Sequence, residues 1–150
     1  MGGGKFVPTR ARAPVPGARV LGLKIDNEFQ VAERIAAGFS AATIGRLARE
    51  LGVPDNRMLL LTSIPESTYH DRKRHKKPLS AEASSRVYRI AKATEAAVAY
   101  FEGNRSAARR WLTTPKVTIG GKTPLEFART PEGSDYIIKL LSRMEHGIIS

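Results

Sequence analysis

The sequence predicts an all-α fold: a helix-turn-helix part followed by a second, small helical part, behind a basic amino-terminal arm. Three observations carry this expectation. From Glu28 onward apolar residues recur at steps of three and four, the spacing that lines one face of an α-helix. Capping residues and helix breakers punctuate that pattern at helix-length intervals. No segment shows the two-residue alternation of a half-buried strand, and no internal repeat is visible.

Residues 1–27 are expected to form a disordered basic arm, because Pro8, Pro14, Pro16 and Gly17 are interspersed with Arg10, Arg12 and Arg19. Phe6-Val7 is followed at once by Pro8 and Arg10 and not by the apolar stretch of a signal peptide. Phe6 also stands where a myristoylation motif requires Ser or Thr. The first helix starts near Glu28, carries Val31, Ala32, Ile35, Ala36 and Phe39 on one face, and stops near Gly38. Ser40 then reads as the N-cap of a second helix with Ile44, Leu47, Ala48 and Leu51, closed by Gly52 and Pro54. Asp55 or Asn56 can cap a third helix through Met58 to Leu61. Ser63-Ile64-Pro65 makes a sharp turn into a fourth helix, Glu66 to His75, and residues 28–78 form the first part.

Leu79-Ser80-Ala81-Glu82 opens the longest helix, with Ser80 as cap and Ala83, Val87, Ile90, Thr94, Ala97 and Phe101 along one face until Gly103. Residues 79–102 therefore connect the two parts. In the second part, residues 103–150, Asn104 caps a helix carrying Ala107, Ala108, Trp111 and Leu112, and Pro115 lies beyond its end. Lys116 to Lys122 is a loop containing Gly120-Gly121. Thr123-Pro124-Leu125-Glu126 combines a capping Thr, a Pro at the first helical position and an acid in the first turn. Thr130-Pro131-Glu132-Gly133 starts a last helix with Tyr136, Ile137, Leu140, Leu141 and Met144, ending at His146-Gly147.

Composition bounds the function. The 150 residues, 41% hydrophobic and 26% charged, make one globular domain or two helical subdomains sharing a core, and no apolar run approaches a bilayer span. The absence of cysteine excludes disulfides, thiolate metal sites and cysteine nucleophiles, and fits a reducing cytoplasm. A net charge of +11 favours a polyanionic partner, nucleic acid first. Residues 1–30 hold five cations against two carboxylates, 31–80 nine against five and 81–150 eleven against seven, so no third owns the excess. Density singles out Tyr69 to Lys77, where five formal positives and one negative fall within nine residues.

Two compact helices joined at Ser63-Ile64-Pro65, the second rich in Arg and Lys, have the form of a helix-turn-helix whose second member enters a major groove. Its first residues, Glu66, Ser67, Tyr69 and His70, would then meet bases, while Arg72, Lys73, Arg74, Lys76 and Lys77 meet phosphates. The competing reading is a solvated basic face. Gly121-Lys122-Thr123 resembles the end of a phosphate-binding loop, but Lys116 occupies the place of its first glycine, so a plain backbone turn is the better account. His70 and His75 stand five apart among cations, which is no metal spacing, and the scattered carboxylates read as caps and surface charge. Trp111 reads as a core anchor. Ile148-Ile149-Ser150, beyond Gly147, is an apolar end that either packs on its own chain or docks into a partner.

From about Ala41 to Ser150 the chain resembles the Xre/MbcA/ParS-type antitoxins of bacterial type II toxin–antitoxin modules, the partners of RES-domain toxins. The resemblance rests on the Leu79-Ser80-x-Glu82-x-Ser84 entry with Arg86, Arg89 and Ile90, on Ala107-Ala108-x-x-Trp111-Leu112-x-x-Pro115, and on Gly120-Gly121-x-Thr123-Pro124-Leu125. It continues through Thr130-Pro131-Glu132-Gly133 to Leu140-Leu141-x-Arg143-Met144-Glu145-His146-Gly147. The first half matches more loosely, as an Xre-like helix-turn-helix.

The resemblance implies a DNA-binding part and a toxin-binding part. Ser67, Thr68, Tyr69, Arg72, Lys73 and Arg74 would lie in an operator-facing recognition helix, with Thr68 alternatively in the core. Residues 103–150 would bind the toxin, with Arg143, Glu145, Gly147, Ile148, Ile149 and Ser150 against its NAD-binding cleft. RES toxins degrade NAD or transfer its ADP-ribose, so the chain would be a stoichiometric inhibitor without cofactor or metal, and no enzyme. A homodimer repressing its own operon would set two recognition helices roughly 34 Å apart on a palindromic operator. The alternative is a free-standing Xre-like transcriptional regulator whose carboxyl half only dimerises it; a nucleotide-handling enzyme built on Gly120 to Thr123 is a third reading.

Overall fold

The computed structural model describes residues 15–147. Among these residues eight α-helices follow one another: α1 Glu28–Ala37, α2 Ala42–Leu51, α3 Asp55–Thr62, α4 Glu66–His75, α5 Ala81–Tyr100, α6 Arg105–Thr113, α7 Pro124–Phe127 and α8 Pro131–Glu145. A 3-10 turn, Val117–Ile119, precedes α7, and the only β-type pairing among the described residues is an isolated bridge between Ser40 and Pro78.

Side chains start most of these helices where the sequence places them. Asn27, Ser80, Asn104 and Thr130 each accept a backbone N–H of the first turn. At α7 Thr123 and Glu126 form a reciprocal capping box, and Pro124 follows the cap. Two starts differ from expectation. Ser40 accepts from Ala42 N–H one position early, so that Ala41 is the N-cap of α2. Pro54 is the cap of α3, and Asp55 is drawn into the helix with its carboxylate turned to Tyr69.

Helix α5 is the axis on which both parts assemble. Its expected face of Ala83, Val87, Ile90, Thr94 and Ala97 is buried, and so are Ser84, Tyr88, Ala91 and Ala93 on the flank, so neighbours pack around most of its girth. Helices α1, α2 and α3 press on it from one part, α6 and α8 from the other. The alanines allow this close approach, and Thr94 satisfies its buried hydroxyl by donating to the Ile90 carbonyl at 2.8 Å. One core results, running from Phe39, Ile44, Leu47 and Met58 to Leu112, Ile137 and Leu141.

The expected disordered arm needs correction over residues 15–27. Val15, Ala18, Val20 and Leu21 are buried, and Ala18 and Leu21 N–H donate to the Val15 and Ala18 carbonyls in successive turns. Gly17, with φ of 87°, brings this segment so close to α5 that a Cβ would stand 3.2 Å from the Lys92 nitrogen. Arg19 reaches Glu50 at 3.6 Å and Glu95 at 3.4 Å, and burial pushes the Glu95 carboxyl up despite that cation. Proline, glycine and arginine give the segment a disordered composition, but a fully buried leucine contributes about 2 kcal/mol and four apolar side chains dock together. Residues 1–14 of the expected arm lie outside the described residues.

Candidate functional site

Helices α3 and α4 are joined through Ser63, which ends α3 in a left-handed conformation with φ of 56°. Ile64 N–H donates back to the Leu59 carbonyl at 3.0 Å, and Pro65 starts α4. Arg86 of α5 fixes the turn by donating from Nε to the Thr62 carbonyl at 2.6 Å, and Arg129 donates to the Ser63 hydroxyl at 3.2 Å.

Among the apolar and aromatic side chains of α4, Tyr69 alone is buried, at 2% exposure. Its hydroxyl donates to Asp55 Oδ2 at 3.0 Å, and burial with that carboxylate pushes its pKa up to about 12. Tyr69 therefore cannot read a base, which corrects its assignment to the DNA-facing set: it locks α4 onto α3. Thr68 and Arg72 flank it half-buried, with Arg72 donating to the Pro78 carbonyl at 3.1 Å. The outward face is made by Ser67, His70 and Arg74, with Lys73, Lys76 and Lys77 exposed beside it. His75 Nδ1 lies 3.1 Å from Asp71, one turn back. The helix thus presents polar and cationic groups on a side from which core contacts are absent.

Sequence reasoning missed a second set of cations. Arg46 and Arg49 stand on the exposed face of α2, opposite Ile44, Leu47, Ala48 and Leu51, and line one groove with Gly45 and with Lys73 of α4. Arg19, Arg105 and Arg109 gather beside them around Glu50. Spacing three apart on a polar helix face was the available signal, but it is also the commonest pattern of a solvated face.

In the second part, α8 carries Arg143, half-buried, and ends at Glu145, with Gly147 exposed beyond it. Ile148, Ile149 and Ser150, assigned to toxin contact, lie outside the described residues. Trp111 is half-buried against the core, with Lys116 Nζ 5.2 Å from its ring centre. Gly120 and Gly121 both take positive φ, and Gly121 N–H donates to the Lys116 carbonyl at 2.9 Å, so this loop is the backbone turn expected. It holds Val117 out at 95% exposure. Nearby in sequence, Phe127 and Tyr136 pack edge to face at 5.3 Å along a shallow apolar cleft that also includes Lys122 and Thr130.

The two parts are tied by side chains as well as by α5. Arg57 of α3 pairs with Glu126 of α7 at 2.9 Å, and the Thr123 N–H, with Arg57 second, holds the Glu126 carboxyl below the usual range. Arg109 of α6 donates to the last carbonyls of α2, Glu50 at 2.6 Å and Arg49 at 3.0 Å. No helix among the described residues is long and apolar enough to cross a membrane, and none of their side chains form a cluster of three or more metal-ligating groups.

A basic helix carried on a helix-turn-helix and fastened by arginines to a second helical unit defines a class: a DNA-binding module built into one body with another binding module. Comparison with known proteins gives both modules their family. Residues 30–92 match the antitoxin Xre-like helix-turn-helix domain, and residues 96–147 match the antitoxin Xre/MbcA/ParS C-terminal toxin-binding domain. An Antitoxin Xre of Yersinia enterocolitica is 29% identical over 147 residues, 94% of this chain and 99% of the relative. An Antitoxin Xre of Pseudomonas putida is 32% identical over 126 residues, covering 83% of this chain and 76% of the relative. The chain belongs to the Xre/MbcA/ParS-type antitoxins. Its two domains imply a toxin and DNA as partners.

Proposed function

We propose that this antitoxin neutralises an NAD-consuming RES-domain toxin by steric occlusion and, as a homodimer in the cytoplasm, represses its own operon by binding operator DNA. The observation that carries the reading is the presence of two surfaces on one core: a cationic α4 in the first part, and an α8 in the second whose end presents Arg143, Glu145 and Gly147. On this reading α4 lies in the major groove, with Ser67, His70 and Arg74 toward bases and Lys73, Lys76 and Lys77 toward phosphates. The end of α8 and the residues after it cover the toxin's NAD-binding cleft, so neutralisation is stoichiometric and needs no chemistry from the antitoxin.

Deleting residues 147–150 separates the two roles. Gly147 is exposed, and a Cβ on it would meet nothing within 4 Å. The truncated chain is expected to keep its thermal stability and its retention of operator DNA in a gel shift, and to lose rescue of growth from the toxin encoded beside it. Undiminished rescue would overturn occlusion by this end. Replacing Arg72, Lys73 and Arg74 by Ala is expected to do the reverse, abolishing the gel shift while the toxin still co-purifies. Absence of a RES-domain reading frame beside the gene would turn the assignment toward a free-standing regulator.

A further inference from the structure

In a helix-turn-helix the first helix crosses the DNA backbone. Here that helix is α3, and its charges are already engaged: Asp55 accepts from the Tyr69 hydroxyl, and Arg57 pairs with Glu126. The cations instead stand on α2. Arg46 and Arg49 are exposed and, among the described residues, make no ion pair and no side-chain hydrogen bond. They share a groove with Lys73, which makes no ion pair among the described residues and stands 5.5 Å from the Tyr69 ring centre, and with Asp55, whose carboxylate accepts from the Tyr69 hydroxyl. Two arginines three apart on one helix face, neither in an ion pair, repel each other. At one end the groove continues to Lys76 and Lys77 beside Ser40 and Ala42, and at the other to Arg19, Arg105 and Arg109, where five arginines surround Glu50 and its one carboxylate pairs with Arg19 at 3.6 Å and Arg105 at 3.1 Å.

Its floor is Gly45. This glycine sits inside α2 with ordinary helical geometry, needs no positive φ, and would place a Cβ in contact only with Arg49 Nη1 at 3.4 Å. A helix-interior glycine costs about 1 kcal/mol relative to alanine, and what the buried Gly45 permits is the close approach of the Arg49 guanidinium, which a Cβ would crowd at 3.4 Å. That guanidinium lies over α2 beside Arg46 and Lys73.

We propose that α2 is a second DNA-binding element, over which the phosphate backbone of duplex DNA runs between Arg46, Arg49 and Lys73 toward Arg19 and Arg105. The inference rests on the DNA-binding reading of α4 and extends it. Since Arg105 belongs to the segment matched as toxin-binding, the DNA track reaches the edge of that domain.

The test uses the full chain and a labelled duplex of about 30 base pairs, three helical turns, with affinity followed by anisotropy across a salt series. Phosphate contacts are blind to sequence, so a random duplex serves. Arg46→Gln with Arg49→Gln is expected to lower the magnitude of the log-log salt slope by about 0.9 for each contact, near 2 for the pair, whatever the duplex sequence. Lys139→Gln, which removes one charge from α8, is expected to leave the slope unchanged. Gly45→Ala is expected to raise the thermal midpoint and weaken duplex binding at once, opposite signs that loss of folding cannot produce. An unchanged slope in the double arginine variant, with wild-type binding intact, overturns the α2 track and leaves the α4 reading standing. A wild-type chain that binds no duplex at low salt overturns both, and preferential binding of a single-stranded RNA of equal length overturns the choice of duplex DNA.

Discussion

At the end of α2, Gly52 takes φ of 68°, Val53 N–H donates back to the Ala48 carbonyl at 3.0 Å, and Pro54 starts α3. At the end of α3, Ser63 takes φ of 56°, Ile64 N–H donates back to the Leu59 carbonyl at 3.0 Å, and Pro65 starts α4. The two turns share one backbone, in which a left-handed residue closes the helix and a proline after the next residue stops it from continuing. Glycine adopts that conformation freely, whereas a residue with a Cβ gives up about 1 kcal/mol or more. Each turn is also met by arginines from elsewhere, Arg109 at the first and Arg86 with Arg129 at the second. The difference is that Ser63 offers a hydroxyl, and Arg129 takes hold of it. The turn in front of α4 is therefore kept by contacts from α5 and from the segment before α8, while the earlier turn is kept by its glycine and by Arg109 of α6.

Breaking the arginine contacts gives the largest expected effects. Arg109→Ala removes two donors from the last carbonyls of α2, and charge-assisted hydrogen bonds of this kind are worth about 2 kcal/mol or more. Urea unfolding is expected to show a loss of about 2–3 kcal/mol. At Ser63 the hold is divided, and the second Arg86 contact, to the Ser63 carbonyl, is long at 3.4 Å. Arg86→Ala is accordingly expected to cost somewhat less, about 2 kcal/mol. A larger loss for Arg86→Ala than for Arg109→Ala would show that the serine turn depends on one arginine after all.

Exchanging the turn residues sharpens the comparison at smaller scale. Gly52→Ser has room, since the nearest atom to its Cβ is Arg109 Cδ at 3.5 Å, so only the positive φ matters and a loss of about 1 kcal/mol is expected. Ser63→Gly is expected to gain up to about 1 kcal/mol. A neutral result at Ser63 would mean that the Arg129 contact offsets the strain.

A hydrogen bond from α4 to α3 spans the same turn. The Tyr69 hydroxyl is neutral in the fold up to about pH 12, against 10 for an unburied tyrosine. A raised pKa stabilises the neutral form, so this contribution is complete below pH 10 and is lost as pH climbs from 10 toward 12. Tyr69→Phe is expected to cost about 1 kcal/mol at neutral pH and to reduce the loss of stability over that alkaline range in a series of pH-dependent melts.

Helices α5, α6 and α8 were legible because each is written twice, in its apolar spacing and in its cap; α7 needed only Thr123-Pro124-Leu125-Glu126 to declare its box and its start. What escaped was set by contacts between residues distant in the chain. Residues 15–27 carry the composition of an unstructured arm, and nothing local announces that Gly17 lies on α5 or that Arg19 meets Glu50 and Glu95. Tyr69 stands in a run of cations and so reads as part of a DNA surface. Its burial follows from where α4 crosses α3, which the run does not encode. Arg46 and Arg49 escaped for the opposite reason: on an amphipathic helix an exposed arginine is ordinary, and only the placement of α4 beside α2 gathers them with Lys73.

Arg129→Ala should have the smallest effect on stability and the most to say about the serine turn. The contact to the Ser63 hydroxyl is exposed, and Arg129 makes no ion pair among the described residues, so unfolding free energy is expected to change by only about 0.5 kcal/mol or less. Yet Arg129 lies between α7 and α8, inside the segment matched as toxin-binding, and its other anchor is its own carbonyl, which accepts from Arg89 of α5. Arg129 thus joins the segment before α8 to the turn in front of α4 through the Ser63 hydroxyl. Amide exchange reads this directly: the Ile64 N–H, bonded to the Leu59 carbonyl across the turn, should exchange faster in Arg129→Ala, while the matching Val53 N–H at the glycine turn should not change. If both amides respond alike, the loosening is general and Ser63 is no handle. If neither responds, Arg86 alone holds the serine turn, and the hydroxyl that distinguishes it from Gly52 carries no mechanical link between the two domains.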